Sequence, residues 1–292
     1  MDCYRLQMRV KFAVSGLAAL AIWLVSTGFA DAQHRGSSKT PDADHVERGL
    51  DSFRTMMAAD PWSNPGFLDI DRGADLWETR RGPNNVSLET CDLGKGPGVT
   101  KGAYAALPRY FEDAGQVMDL ETRLLWCMRN IQGMDTSAML KNPYPANGHP
   151  VGDLGALATY VAARSDGMAI APTLSHPRER AAVATGKAIF NHRSGPFDFS
   201  CASCHGVEGK RIRLQPLADL ATPEGARKVV GEWPAYRVST TNVMTFQHRL
   251  FDCFRQMRLP RLRLGSPASI ALTAYLMSEA RGGVIKVPGL KR

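Results

Sequence analysis

Ser200-Cys201-Ala202-Ser203-Cys204-His205 carries two cysteines three positions apart and a histidine directly after the second. Cys-x-x-Cys-His is the spacing for covalent attachment of a c-type haem. The two thiols add to the haem vinyl groups as thioethers, and the adjacent histidine supplies an axial nitrogen to iron. A zinc site would need further Cys or His ligands, and the chain has no second Cys-x-x-Cys. A thioredoxin-type dithiol would need a βαβ setting. Few segments here alternate with period two, so the chain reads as mainly α.

Working outward from the motif, the chain resembles itself. At an offset of 126, Val117-Met118-Asp119-Leu120 through Arg123-Leu124-Leu125-Trp126-Cys127 matches Val243-Met244-Thr245-Phe246 through Arg249-Leu250-Phe251-Asp252-Cys253, and Pro108 and Tyr110 fall on Pro234 and Tyr236. At an offset of 113, Gly73, Trp77, Gly82-Pro83 and Ser87 fall on Gly186, Phe190, Gly195-Pro196 and Ser200. At an offset of 115, Leu157 and Tyr160 fall on Leu272 and Tyr275. The blocks keep their order, which implies two cytochrome c-like domains in tandem, at 45–168 and 176–286, with a linker at 169–175. Ser266-Pro267 is a cap and first turn for the last helix, and Gly282-Gly283 ends it.

The same alignment puts Leu88, Cys91 and Asp92 where Cys201, Cys204 and His205 stand. One anchor and the axial ligand are gone, so the first domain is expected to hold no haem. Its leftover Cys91 has a partner in Cys127, the counterpart of Cys253. Those positions flank the ring in a haem domain and can close into a disulfide without it.

The candidates for the second axial ligand are Met244, Met257, His192, His248 and Cys253. Met244 has a counterpart, Met118, in the haem-free domain, which points to a core role. His192 aligns with Thr79 and reads as polar surface, and Met257 fits either core or ligand. His248 lies off the helical face of Cys253. Cys253 is preferred, because a metal would hold a buried thiolate and a lone thiol in an oxidising compartment needs a bond. Arg249, one helical turn before it, would stabilise a thiolate and could grip an oxyanion. Arg123 at the repeat position is the argument for a structural role instead. Arg255, Arg258, Arg261 and Arg263, with Lys210, Arg211 and Arg213, read as a solvated basic face or an anion funnel. No nucleic-acid motif accompanies them.

The 292 residues carry 36 Lys+Arg against 28 Asp+Glu, a formal charge of +8, with 44% hydrophobic and 22% charged residues. That composition excludes a disordered chain. One long apolar run excludes a polytopic membrane protein, and six cysteines are too few for a disulfide-dense mini-protein of this length. The run, Phe12 to Phe29, follows Arg5, Arg9 and Lys11 and precedes Ala30-Asp31-Ala32. Residues 1–32 therefore read as a signal peptide cleaved after about Ala32, giving a periplasmic protein with no membrane attachment. Cys3 leaves with it, and 33–44 reads as a mobile polar segment.

The tandem repeat, Cys201-Ala-Ser-Cys204-His205 and the run Arg249-Leu-Phe-Asp-Cys253-Phe-Arg-Gln-Met257-Arg258 resemble the SoxA family, in its single-haem branch. The resemblance implies an L-cysteine S-thiosulfotransferase that joins thiosulfate to a cysteine of the carrier SoxYZ and passes electrons through one covalently attached haem c to SoxX. It implies Cys201 and Cys204 as covalent anchors, His205 and Cys253 as axial ligands, a persulfide on Cys253, and Arg249 as the substrate-binding residue. The competing reading is a plain periplasmic electron-transfer cytochrome c, in which Cys253 is passive and the basic residues dock an acidic partner.

Overall fold

The computed structural model describes residues 63–292 apart from 213–214, together with a few positions between 45 and 60. The expected signal at 1–32 and the segment 33–44 lie outside the described residues, as does Arg213.

The first repeat runs α1 (Gly66–Glu78), β1 (Arg109–Phe111), β2 (Gln116–Met118), α2 (Leu120–Asn130), α3 (Ser137–Lys141) and α4 (Asp153–Ala163). The second runs α5 (Pro177–Asn191), α6 (Cys201–His205), β3 (Arg211–Ile212), β4 (Gln215–Pro216), α7 (Pro223–Val229), β5 (Ala235–Arg237), β6 (Asn242–Met244), α8 (Phe246–Gln256), α9 (Pro267–Glu279) and β7 (Gly289–Lys291). The mainly helical class expected from the sequence is what the chain adopts.

Each repeat is built on one helix crossing, and a glycine makes it possible. A Cβ on Gly73 would lie 2.2 Å from the Ala156 carbonyl oxygen, and one on Gly186 would lie 2.0 Å from that of Ala271. Only glycine lets α1 touch α4, and α5 touch α9, backbone to backbone. One turn on, Trp77 packs at 6.3 Å on Tyr160 and Phe190 at 5.3 Å on Tyr275. The offsets read in the sequence are thus two copies of one crossing. Ser266 caps α9 by accepting from the Ser269 amide, with Pro267 in the first turn.

The short strands are a finding that periodicity did not foretell. Three-residue strands are too short to display alternation. Tyr110 pairs with Val117 in the first repeat and Tyr236 with Val243 in the second, both antiparallel, while β7 adds to β5 in parallel. Each hairpin leads directly into the helix that follows it, α2 or α8, and fixes where that helix starts.

One buried apolar cluster runs through both repeats, from Trp77 and Leu124 to Leu272 and Val287. Among the described residues no helix is long and apolar enough to cross a membrane.

Candidate functional site

Two short capped segments carry the site. Helix α6 is little more than one turn. It forms because Ser200 accepts from the Ser203 amide at 3.2 Å while the Ser203 hydroxyl accepts from the Ser200 amide at 3.0 Å. The serines inside and before the motif therefore wind it, and a spacing of three puts Cys201 and Cys204 on one face. Helix α8 starts at Thr245, whose hydroxyl accepts from the His248 amide at 3.3 Å, and carries Cys253 two turns further on.

Cys201, Cys204, His205 and Cys253 all line one cavity of about 230 Å³. Most of its other walls are apolar and include Phe190, Leu217, Leu220, Val230, Phe246, Leu250 and Leu276. The His205 Nδ1 lies 3.0 Å from the Ala218 carbonyl and donates to it, which leaves Nε2 with its lone pair. Burial holds the His205 pKa below its ordinary value, favouring the neutral imidazole that a metal requires. Burial pushes the Cys201 thiol up to about 12. The three thiols are unpaired among themselves. An apolar cleft with two thiols on one helical face, an imidazole held by its far nitrogen, and a further thiol in the wall fits a covalently held haem. Cys201 and Cys204 would anchor it, and His205 and Cys253 would be the nitrogen and sulfur donors lining the same space.

Three of the four other ligand candidates lie away from this cavity. Met244 is 3% exposed in β6, a core position like its counterpart Met118. His192 is exposed at the end of α5. His248 is buried against Tyr144, with stacked rings at 4.3 Å, and does not line the cavity. Met257 does line it, at the end of α8.

The corresponding space in the first repeat is closed. Cys91 and Cys127 are joined in a disulfide with their Cα atoms 5.8 Å apart, as the repeat comparison anticipated. Leu88, Leu93, Leu124 and Met128 are fully buried in the same core. Asp92, standing where His205 is, accepts from the amides of Gly94 at 2.6 Å and Gly96 at 2.9 Å, so it pins a turn.

Beside the cleft lies a polar cavity of about 730 Å³, and Arg249, Gln256 and Lys291 line both. Arg249 Nη1 donates to Asp252 at 2.9 Å. The same carboxylate accepts from Arg237 at 3.0 Å, Arg255 at 2.8 Å and Gln256 at 2.7 Å. Burial alone would raise the Asp252 pKa, but the hydrogen bond from Arg255 and the charges of Arg249 and Arg237 outweigh it and hold it low. Burial likewise pushes the Cys253 thiol up, while the charges of Arg249 and then Arg237 pull against that rise. Of the remaining basic residues, Arg261 turns away to the Lys141 carbonyl at 3.1 Å. Sequence reasoning missed Arg237 and Asp252. The repeat alignment held the signal, since both positions differ in character from their counterparts in the first domain.

The SoxA/TsdA cytochrome c domain model matches residues 72–170 and again 185–285. The chain belongs to the SoxA/TsdA cytochrome c family. The L-cysteine S-thiosulfotransferase subunit SoxA of Hydrogenophilus thermoluteolus is 43% identical over 96% of this chain and 98% of that one. A protein of the same description from Hydrogenobacter thermophilus is 36% identical over 78% of this chain and 82% of its own. The crystal structure of SoxXA from P. pantotrophus superposes with a TM-score of 0.67 at 25% identity, covering 82% of this chain and 84% of that one. The two matched segments coincide with the two helix crossings.

Proposed function

We propose that this chain is a SoxA-type L-cysteine S-thiosulfotransferase subunit that joins thiosulfate oxidatively to a cysteine of a SoxYZ-type carrier. The observation that carries the reading is Cys253 in the wall of the cleft lined by the haem motif, with Arg249 one turn before it. The carrier thiol loses its proton, a sulfur–sulfur bond forms to the terminal sulfur of thiosulfate, and two electrons leave. The product is a cysteine S-thiosulfonate. A covalently held haem supplies the one-electron relay toward a SoxX-type cytochrome.

The protein's side chains have separable tasks in this reading. Arg249 offers a planar fork of donors to the sulfonate oxygens, which orients the outer sulfur toward the Cys253 sulfur. Asp252 holds Arg249 in place. The apolar walls of the cleft keep water from the reacting sulfurs and strengthen the cation's hold on the dianion. Cys201 and Cys204 would hold one haem covalently, and His205 and Cys253 would offer it a nitrogen and a sulfur ligand. The domains extend over 45–168 and 176–286, and the chain is exported, with cleavage after about Ala32, to act in the periplasm beside its SoxX-type partner. A plain electron carrier does not call for a cationic side chain in the lining of the cleft that holds the Cys253 thiol.

The test is turnover of thiosulfate with the thiol carrier by the haem-loaded heterodimer. Cys253→Ala and Arg249→Ala should each abolish conjugation while one haem stays attached by mass. Full activity in both variants refutes the assignment.

A further inference from the structure

The two repeats treat their paired arginines in opposite ways. In the haem-free repeat Arg123 is closed off. Its guanidinium makes a two-pronged bond to Asp113 at 2.8 and 2.7 Å, and its Nε donates to the Asp92 carbonyl at 2.7 Å. It lies 4.1 Å from the Phe111 ring centre and 4.3 Å from that of Trp126. Its side chain is 2% exposed. Every direction in which it could meet a ligand is occupied.

Carried across the offset of 126, the three side chains that enclose Arg123 all change. Phe111 becomes Arg237, Trp126 becomes Asp252, and Asp113 becomes Ser239. The aromatic planks are replaced by a second cation and an anion, and the private carboxylate is gone. Arg249 now shares Asp252 with Arg237 and Arg255, so three cationic side chains meet one carboxylate. One carboxylate cannot neutralise three guanidiniums. The Arg249 side chain is 23% exposed and Arg237 is 19% exposed, and both line the larger cavity. Arg237 is held from behind, its Nε donating to the Arg292 carbonyl at 2.7 Å.

We propose that Arg237 and Arg249 form a two-guanidinium site for a small divalent oxoanion, with Asp252 as the positioning residue that sets their spacing. The proposal rests on the thiosulfate reading above and adds a second binding residue to it. A dianion with several oxygens matches two adjacent guanidinium forks that line one cavity.

The experiment uses the haem-loaded heterodimer. Thiosulfate binding is followed by calorimetry with no carrier present, and KM and kcat are then measured with the carrier. Arg237→Ala should weaken binding and raise KM by on the order of 10- to 100-fold, the loss expected for one charge-assisted contact. Its kcat should move much less, and Arg237→Lys should recover part of the loss. Asp252→Asn should raise KM while the haem absorption spectrum stays as in the parent. Arg237→Ala with binding and KM within about twofold of the parent overturns the proposal. A fall in kcat with KM unchanged, or no recovery in Arg237→Lys, assigns Arg237 to structure and overturns it as well. If the parent protein conjugates no thiosulfate, the functional reading fails instead, and the calorimetric comparison still decides the anion site.

Discussion

Cys91→Ala/Cys127→Ala removes the bond that joins the repeat counterparts of Cys204 and Cys253. The bridged cysteines are 36 positions apart. In the chain-entropy account, opening a loop of that length costs about 4 kcal/mol. Both sulfurs are completely buried, so truncation to alanine adds the loss of packing around them. For a body of this size about 4 kcal/mol corresponds to a fall in Tm of about 8–16 °C. The two repeats share one apolar core, so the fall should appear in the melting of the whole protein, haem absorption included. Haem content should not change, because Cys201, Cys204 and His205 are untouched. The assay is thermal denaturation followed by far-ultraviolet circular dichroism and by the haem band, with thiol titration of the parent under denaturing conditions. A fall of less than about 2 °C, or free thiols at Cys91 and Cys127 in the exported parent, refutes the argument that this bond replaces a lost cofactor as the brace of the first repeat.

Two further outcomes test the frame. Burial, reinforced by the neighbouring charge of Asp119, pushes the Glu121 pKa up to about 8 from an ordinary value of 4.5. The folded chain then keeps a proton that the unfolded chain releases, so this contribution is complete below about pH 4.5 and is lost as pH rises through about 8. Urea titrations should show stability declining over that window by at most about 1.4 kcal/mol per pH unit, and Glu121→Gln should flatten the decline. Gly186→Ala drives a methyl to 2.0 Å from the Ala271 carbonyl oxygen. It should cost about 3 kcal/mol in denaturant melts, whereas Gly167→Ala, whose Cβ would meet nothing, should cost only the strain of its left-handed backbone.

The helix crossings, the haem motif and the closed site of the first repeat were legible because each depends on residue types at fixed separations. Gly73 and Gly186 can be recognised one against the other, and so can Cys91 and Cys204. Contacts that span unrelated separations were not legible. Ala218 is thirteen residues from the histidine it orients, and nothing about an alanine announces a carbonyl acceptor. Arg237 reaches Asp252 through a hairpin whose strands are too short for their alternation to be read. The basic run after Cys253 read as one surface, yet Arg255 is bonded to Asp252 while Arg261 lies against Lys141 and over the Phe251 ring. A charge count cannot separate those fates, since Arg255 lies on α8 and Arg261 lies beyond its end.

The repeat also explains what the first domain does for the second. Asp119 caps α2 and accepts from the Gln247 side chain, and Glu121 accepts from the Gln247 amide at 3.2 Å and from the hydroxyl of Thr245, the cap of α8. Asp119 and Thr245 are counterparts at the offset of 126, as are Glu121 and Gln247. Each repeat therefore reaches from the third position of its own cap segment to the cap of the other, and the contact is its own mirror. All four residues are buried, so these groups would be left unsatisfied if the repeats separated. The consequence falls on α8. Its start is fixed by the first repeat, and Arg249 and Cys253 follow one and two turns later on a helix with no room to slide. The first repeat is thus a brace on the helix that carries Arg249 and Cys253, and the Cys91–Cys127 disulfide ties that brace together internally.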